Sequence, residues 1–390
     1  MATGTSGGLL DKRDPHAQSV FKHEILKQYM SRFIAMPGKS ARDNRVVILD
    51  GFAGSGRYGD GSAGSAEHIL RATRRFASTR TAVSFFTEKD RKNFASLQPV
   101  VQEYAEQGLD AQALFGPVQQ HLDTVIAASD GVPLFLFLDP CGAGLPFKQL
   151  THVLGSQRRA TKPPTEALIN FSADLSRRMA GAVEKGHTDQ ALMDETCGGT
   201  WWRDIAAEVR RNSKSPDFRE VVEAVVQEYA RLLGEATGML SATVPVRKRL
   251  HHAQPIYHMV FFTRSPYGLW VFGDSVGRAK QVWLKHLGVL EDDECVDQDT
   301  LFPVAETFKS IIDGQEQEAR RTVTANLQRL LEEHNSFKVV DRTTEIFGKA
   351  YGSATETIVH QCLKELQTAG KLEVLVSHKR WRERVIARPR

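Results

Sequence analysis

The sequence predicts an α/β fold: a doubly wound, mainly parallel sheet with a helical insertion, followed by a smaller C-terminal domain of helices and a short hairpin. Three observations predict it. Short apolar runs such as Val46-Val47-Ile48-Leu49 and Leu134-Phe135-Leu136-Phe137-Leu138 each end in an acid, as strands buried on both faces of a parallel sheet do. These runs alternate with stretches whose apolar residues recur at helical spacing, the pattern that produces right-handed crossovers. Glycines then crowd the end of the first run, from Gly51 to Gly64, where such folds admit a ligand.

Residues 21–34 have the apolar spacing of an amphipathic helix. The first strand covers 45–50 and a helix follows over 65–76. A second strand at 82–86 runs out to Glu88, with a helix over 91–104. A third strand at 111–115 precedes a helix near 118–127, a fourth covers 134–138 and ends at Asp139-Pro140, and a fifth covers 167–171. From 172 to about 241 the chain reads as helical and polar, with Trp201-Trp202 in its middle, an insertion or lid. Residues 257–263 and 269–272 flank Ser265-Pro266-Tyr267-Gly268 and are expected to form a hairpin, with a helix over 275–287. The acidic stretch 291–299 reads as a boundary. Beyond it come a long helix at 305–333, shorter ones at 343–347 and 354–370, and two strands at 372–376 and 384–387, the order of a winged helix-turn-helix. The expected division is therefore a flexible segment at 1–19, an α/β domain at 20–290 with its insertion at 172–241, and a winged-helix-like domain at 300–390.

A chain of 390 residues is long enough for a large core and a smaller second one. With 41% hydrophobic and 25% charged residues, disorder is excluded as the default. No apolar run reaches bilayer length and the first residues form no apolar signal core, so a cytoplasmic protein without membrane contact is expected. Cys141, Cys197, Cys295 and Cys362 lie far apart and match no zinc spacing; reduced thiols and no metal are expected. The net charge of +4 identifies no partner, but its distribution is uneven. Lys379, Arg380, Arg382, Arg384, Arg388 and Arg390 stand against Glu383 alone, and Arg247-Lys248-Arg249 is followed by His251-His252. Such clusters track the phosphates of DNA or RNA, or simply form a solvated face.

The residues Asp50-Gly51-Phe52-Ala53-Gly54-Ser55-Gly56 carry the strongest chemical signal. Glycines at the carboxyl end of a buried strand let the backbone turn sharply and approach a ligand closely. The spacing is not the G-x-G-x-x-G of a dinucleotide fold. An acidic strand end followed by Phe-Ala-Gly-Ser-Gly resembles motif I of class I methyltransferases, particularly those that methylate amino groups of nucleic acids. Glu88, at the end of the second strand, stands where a carboxylate would accept ribose hydroxyls, with Asp90 as a competitor. Phe115 and Gln119 fall where an adenine-contacting segment would lie. Asp139-Pro140-Cys141-Gly142 occupies the place of the Asp/Asn-Pro-Pro-aromatic motif, whose acid orients the target amine. Cys141 and Gly142 depart from that motif and leave no stacking ring at this position. Lys22-His23, ahead of the glycine turn, is a candidate for the methionine carboxylate.

Lys22-His23 before an Ile-Leu-x-x-Tyr helix, the run from Asp50 to Tyr58 with Asp60-Gly61 and Gly64-Ser65, the Asp139-Pro140 turn and Tyr257-His258-Met259-Val260-Phe261-Phe262-Thr263 occur together. In that combination, over about residues 20–390, the chain resembles the three-Cys-motif partner (TcmP) family. The resemblance implies a Rossmann-like, class I methyltransferase sheet, S-adenosylmethionine as cofactor, a C-terminal winged-helix-like segment and a partner similar to radical-S-adenosylmethionine proteins. It does not supply a reaction. The leading expectation is methyl transfer to a nucleic acid or nucleotide-derived substrate. In it Asp50, Phe52, Ala53, Gly54 and Gly56 make the cofactor turn, Glu88 holds the ribose, and Asp139 with Pro140 places the nucleophile. The alternatives are a non-catalytic scaffold that binds nucleic acid or its partner, and a different cofactor such as NAD.

Overall fold

The computed structural model describes residues 17–36, 42–186, 190–213, 218–248, 254–295 and 304–389. They form two compact units, one containing Met30–Arg264 and the other Ser19–Tyr29 with Ser265–Arg390. The second unit is thus discontinuous in sequence, and its longer part begins well before the acidic stretch expected to mark the boundary.

The first unit is a seven-stranded sheet with helices. Strands β1 (Arg45–Asp50), β2 (Thr81–Glu88), β3 (Asp110–Phe115), β4 (Leu134–Leu138) and β5 (Thr165–Ser172) alternate with α2 (Ser65–Phe76), α3 (Arg91–Glu106), α4 (Leu122–Ala128) and α5 (Phe147–Thr151), after the leading helix α1 (Ala17–Ala35). β6 (Leu240–Val246) and β7 (Tyr257–Thr263) complete the order β3-β2-β1-β4-β5-β7-β6. β1 to β5 are mutually parallel, while β7 runs antiparallel to both β5 and β6. The apolar runs explain the centre: β4 is buried along its whole length and β1 is buried from its second residue, as a strand covered on both faces must be. At the edges the demand relaxes, and β6 tolerates Pro245 there.

Between β5 and β6 lie α6 (Ala173–Glu184), α7 (Ala191–Cys197), α8 (Trp201–Asn212) and α9 (Arg219–Thr237), the expected helical insertion. Trp202 is buried in the core beneath them, its indole N–H donating to Asp194 Oδ1 at 2.8 Å. The expected hairpin is not formed. Leu269–Phe272 belong instead to the helix α10 (Pro266–Cys295), and β7 finds its partners in β5 and β6. Apolar periodicity over four residues does not separate a strand from a buried helical turn, and Leu269, Trp270, Val271 and Phe272 are all buried.

The second unit contains α10, α11 (Val304–Glu333), β8 (Phe337–Lys338), α12 (Thr343–Phe347), α13 (Glu356–Thr368), β9 (Glu373–Val376) and β10 (Val385–Ala387). The three strands form an antiparallel sheet in the order β8-β10-β9. Trp270 sits in this core with its ring centroid 5.0 Å from Phe347 and 5.4 Å from Trp381. Asp274, fully buried, accepts the Glu356 N–H at 2.7 Å and so caps α13, while its other oxygen receives Arg278 Nε at 2.9 Å. The early part of α1 belongs here: Phe21 packs on Trp283 with centroids 5.4 Å apart, and Tyr29 meets Phe272 edge-on at 5.6 Å. No helix among the described residues is long and apolar enough to cross a membrane.

Candidate active site

The glycine turn follows β1 and is held almost entirely by backbone. Gly51 N–H donates to Phe137 O at 2.9 Å and Ala53 N–H to Thr87 O at 3.0 Å. Thr87 Oγ1 returns a bond to Gly51 O at 2.7 Å. The glycines are there for different reasons. A Cβ at Gly51 would stand 2.7 Å from Leu138 Cδ2, and one at Gly64 would stand 2.8 Å from Gly56 O, so both exist to let protein pack on protein. At Gly54 the backbone has φ +62, and a Cβ would meet nothing within 4 Å. This glycine faces open space.

Glu88, at the end of β2, ties the turn down. Its Oε2 accepts the Gly54 N–H at 2.9 Å and its Oε1 the Asp90 N–H at 2.7 Å. Asp90 is occupied otherwise, as N-cap of α3 accepting from Asn93 N at 2.9 Å. Asp50 is fully buried below the turn, with Oδ1 3.2 Å from Phe52 N. Phe52 and Ala53 lie within the turn, the latter buried. Phe115, about half exposed, ends β3 beside Phe94, and Gln119 is exposed.

A buried ionic anchor, invisible as a motif, braces the far side of the turn. Glu67 on α2 is 2% exposed and accepts Arg57 Nε at 2.8 Å, Arg57 Nη2 at 2.9 Å, Arg71 Nη2 at 3.1 Å and Tyr104 OH at 3.1 Å. The Arg57 hydrogen bonds, against the cost of burial, hold the Glu67 carboxyl down to about 2.

Asp139 follows β4, and its Oδ1 accepts Asn170 Nδ2 from the end of β5 at 2.7 Å. Pro140 is buried, Cys141 is exposed, and Gly142 has φ +130 with nothing within 4 Å of a would-be Cβ. Next to this pair lies a narrow cleft walled by Leu145, Phe171, Met193 and Tyr229, with Asn170 lining it. Sequence reasoning misses Asn170, Phe171 and Tyr229 as site residues. In the sequence Asn170 and Phe171 mark only the end of a strand, and Tyr229 lies on an insertion helix far along the chain. Nearby, His258 on β7 pairs by register with Phe171. Burial, then the charges of Arg247 and Arg177, push its imidazole down to about 4.

The remaining predicted residues lie in the second unit. Lys22 is half-buried and His23 buried on α1, within Ser19–Tyr29. Lys379 and Arg380 are exposed between β9 and β10. Arg382 is turned inward, bonded to Glu356 at 2.6 Å and lying 4.9 Å over the Tyr267 ring. Arg384 is half-buried, with Nε 3.5 Å from His378 O. Arg249, His251, His252 and Arg390 lie outside the described residues.

No family model matches the sequence, and no curated protein matches it. Solved structures overlap it loosely. An O-methyltransferase from Bacillus cereus in complex with SAH shares 10% identity, covering 66% of this chain and 94% of its own, at TM-score 0.32. A Klebsiella pneumoniae protein with a provisional O-methyltransferase assignment gives 12%, 65%, 91% and 0.32. An uncharacterized protein from Listeria monocytogenes serotype 4b gives 10%, 86%, 97% and 0.29. Overlaps this loose say nothing of function. The strand order β3-β2-β1-β4-β5, with glycines after β1, makes the first unit Rossmann-like on its own terms.

Proposed function

We propose that the chain is an S-adenosylmethionine-dependent methyltransferase. One observation carries this reading: the Gly54 N–H donates to Glu88 Oε2 at 2.9 Å, across the carboxyl ends of two adjacent parallel strands. The bond fixes a cradle whose outer face, at Gly54, is open. Each oxygen of an ionised carboxylate can accept two hydrogen bonds. Glu88 therefore keeps capacity for the hydroxyls of a ribose after receiving two backbone N–H groups. The bound cofactor would supply an electrophilic methyl group. Asp139, held by Asn170, orients the nucleophile of the acceptor and takes up its proton, and buried Pro140 stiffens the backbone behind it. Positioning of this kind carries most of such a reaction. Lys22 and His23, expected from the sequence to meet the methionine carboxylate, belong to the second unit and take no part in this reading.

The finer expectations belong here too. A nucleic acid or nucleotide-derived acceptor, and a three-Cys-motif partner similar to radical-S-adenosylmethionine proteins, rest on the resemblance to the TcmP family. The winged-helix-like reading of the second unit is supported by its order of helices and three strands. Its approach to DNA or RNA is drawn from Lys379, Arg380 and Arg384, because Arg382 is engaged with Glu356. If they neutralise phosphates, charge reversal at Lys379 and Arg380 lowers the logarithmic salt slope by roughly 0.7–0.9 for each phosphate no longer neutralised, as anisotropy titrations would read.

Calorimetry with S-adenosylhomocysteine tests the main reading. The wild-type chain binds it, and Glu88→Ala weakens binding by about 1.5–3 kcal/mol, roughly tenfold to a hundredfold. Binding of NAD in its place would sink the proposal. The exposed Cys141 and the open backbone at Gly142 favour one alternative, a scaffold that holds the cofactor without transferring its methyl group. In that case the homocysteine compound binds but no acceptor is ever methylated.

A further inference from the structure

We infer that His360, Lys364 and Arg384 form a phosphate site on the second unit, and that a phosphate bound there draws a proton onto His360. Naming a nucleic acid as the source of that phosphate rests on the nucleic-acid reading above. The site itself rests on its own residues.

His360 lies on α13, and Trp381 lies in the turn between β9 and β10. Their rings stack with centroids 4.6 Å apart and an interplanar angle of 10°. Trp381 is fixed in turn by Trp270, 5.4 Å away and nearly perpendicular to it, so the imidazole rests on a rigid ring. Lys364, one turn further along the same face of α13, and Arg384, just beyond the Trp381 turn, line one groove with His360. The floor of that groove is packed core, with Val339, Leu363, Leu372 and Ile386. A ligand therefore lies across its mouth and not inside it.

No carboxylate lines the groove. The acids of the flanking elements are committed elsewhere. Glu356 accepts Arg382 Nη1 at 2.6 Å, and Glu365 is bonded to Arg320. Glu383 is paired with Lys338, on which Asp341 also acts. Glu373 precedes the groove residue Val374 on β9 and so points to the other face of that strand. Lys364 and Arg384 have no ion-pair partner among the described residues.

Three basic groups thus meet with no acid to balance them. Burial, then the charges of Lys364 and Arg384, hold the His360 imidazole below its ordinary range. It is neutral at pH 7, with one ring nitrogen donating and the other accepting. An anion lying across Lys364 and Arg384 reverses the field at His360 and lets both nitrogens hold a proton. Three donors arriving from two elements suit a phosphate, whose oxygens point in different directions, better than a flat carboxylate. In the free chain the proton is lost below the ordinary value of 6.5, and with the anion bound it is kept to higher pH. Binding is therefore tightest in acid and weakens as the pH rises through the bound value.

Sulfate, a dianion throughout the neutral range, stands in for phosphate in the test, with chloride keeping the ionic strength constant. The imidazole resonance missing from His360→Gln identifies His360 among the 13 histidines. Adding sulfate to the full chain moves the midpoint of its NMR titration up by about one pH unit. Sulfate then binds roughly tenfold more tightly at the acid end of that titration than at the alkaline end. Lys364→Gln and Arg384→Gln each reduce the displacement by about half or more. Lys364 is exposed, so its variant keeps the fold whatever happens at Arg384. A midpoint that ignores sulfate, or moves as far in both variants as in the wild type, would overturn the inference. A single-stranded oligonucleotide distinguishes the sources of phosphate. If nucleic acid is the source, the oligonucleotide moves the His360 resonance at lower concentration than sulfate does. Charge reversal at Lys379 and Arg380 then removes that advantage and leaves the sulfate response intact. An oligonucleotide with no advantage over sulfate defeats the nucleic-acid reading and keeps the site, with a free phosphate or phosphomonoester as its ligand. One that binds without moving His360 does the reverse.

Discussion

The turn after β1 and the cleft after β4 and β5 lie at the same end of one sheet, yet they are made of different material. In the turn, Gly51, Ala53 and Gly54 are placed by backbone N–H groups bonded to Phe137, Thr87 and Glu88. The side chains that matter there, Glu67 and Arg57, brace it from outside. In the cleft the backbone only delivers side chains, and Asp139, Asn170, Phe171 and Tyr229 converge from two strands and an insertion helix. On the proposed function, the part that meets the cofactor is written in glycine and backbone, and the part that faces an acceptor is written in side chains, which can change one at a time.

The largest effect should come from Gly54→Val. A branched side chain at φ +62 is strained and projects into the open face, so binding of S-adenosylhomocysteine is lost, more than about a hundredfold by calorimetry. Gly51→Ala tests the opposite role three residues earlier. Its Cβ meets Leu138, so the loss appears in stability, roughly 1–3 kcal/mol in a urea titration. If the two variants fail in the same way, the distinction between ligand-facing and packing glycines collapses.

Glu67→Gln probes the brace. With the Glu67 carboxyl near 2 against an ordinary value of 4.5, its contribution is fully present above about pH 4.5 and is lost as the pH falls through about 2. The variant should be less stable by about 2 kcal/mol at neutral pH, and the gap to wild type should close in acid. Denaturant midpoints at pH 7 and pH 3 measure it. A gap that stays constant with pH would show that shape, not charge, is what Glu67 contributes. The smallest effect on cofactor binding is expected from Asp139→Asn. Cofactor affinity should stay within about threefold, while any methyl transfer is lost, since Asp139 serves the cleft and not the cradle. A large loss of cofactor affinity would merge the two regions into one.

The alternation of strands and helices, the glycine turn and Glu88 were legible because each leaves a local mark: a buried run, a positive-φ requirement, an acid at a strand end. Glu88 and Asp90 are acids two residues apart and look alike in the sequence; only the fold shows that Asp90 caps α3 through Asn93 while Glu88 receives the Gly54 N–H. Leu269–Phe272 misled because four buried apolar residues fit a strand as well as one turn of α10. β6 was hidden at the end of the helical insertion, where Leu240–Val246 is an edge with mixed burial and a proline. Asn170 carries its meaning only through Asp139, 31 residues earlier. The basic tail was legible as charge but not as direction, since only the fold turns Arg382 toward Glu356 and leaves Lys379 and Arg380 outside.

The early part of α1 has a consequence for how the chain comes into being. Phe21 and Tyr29 find their partners on α10, at Trp283 and Phe272. Synthesis proceeds at about 5–20 residues per second, so roughly ten seconds or more separate the emergence of that helix from the arrival of its partners. During this interval the whole α/β sheet can form while an apolar face made first stays uncovered. One part of the second unit is therefore made before the sheet and the rest after it. A nascent chain arrested before α10 should be the form that most needs a chaperone.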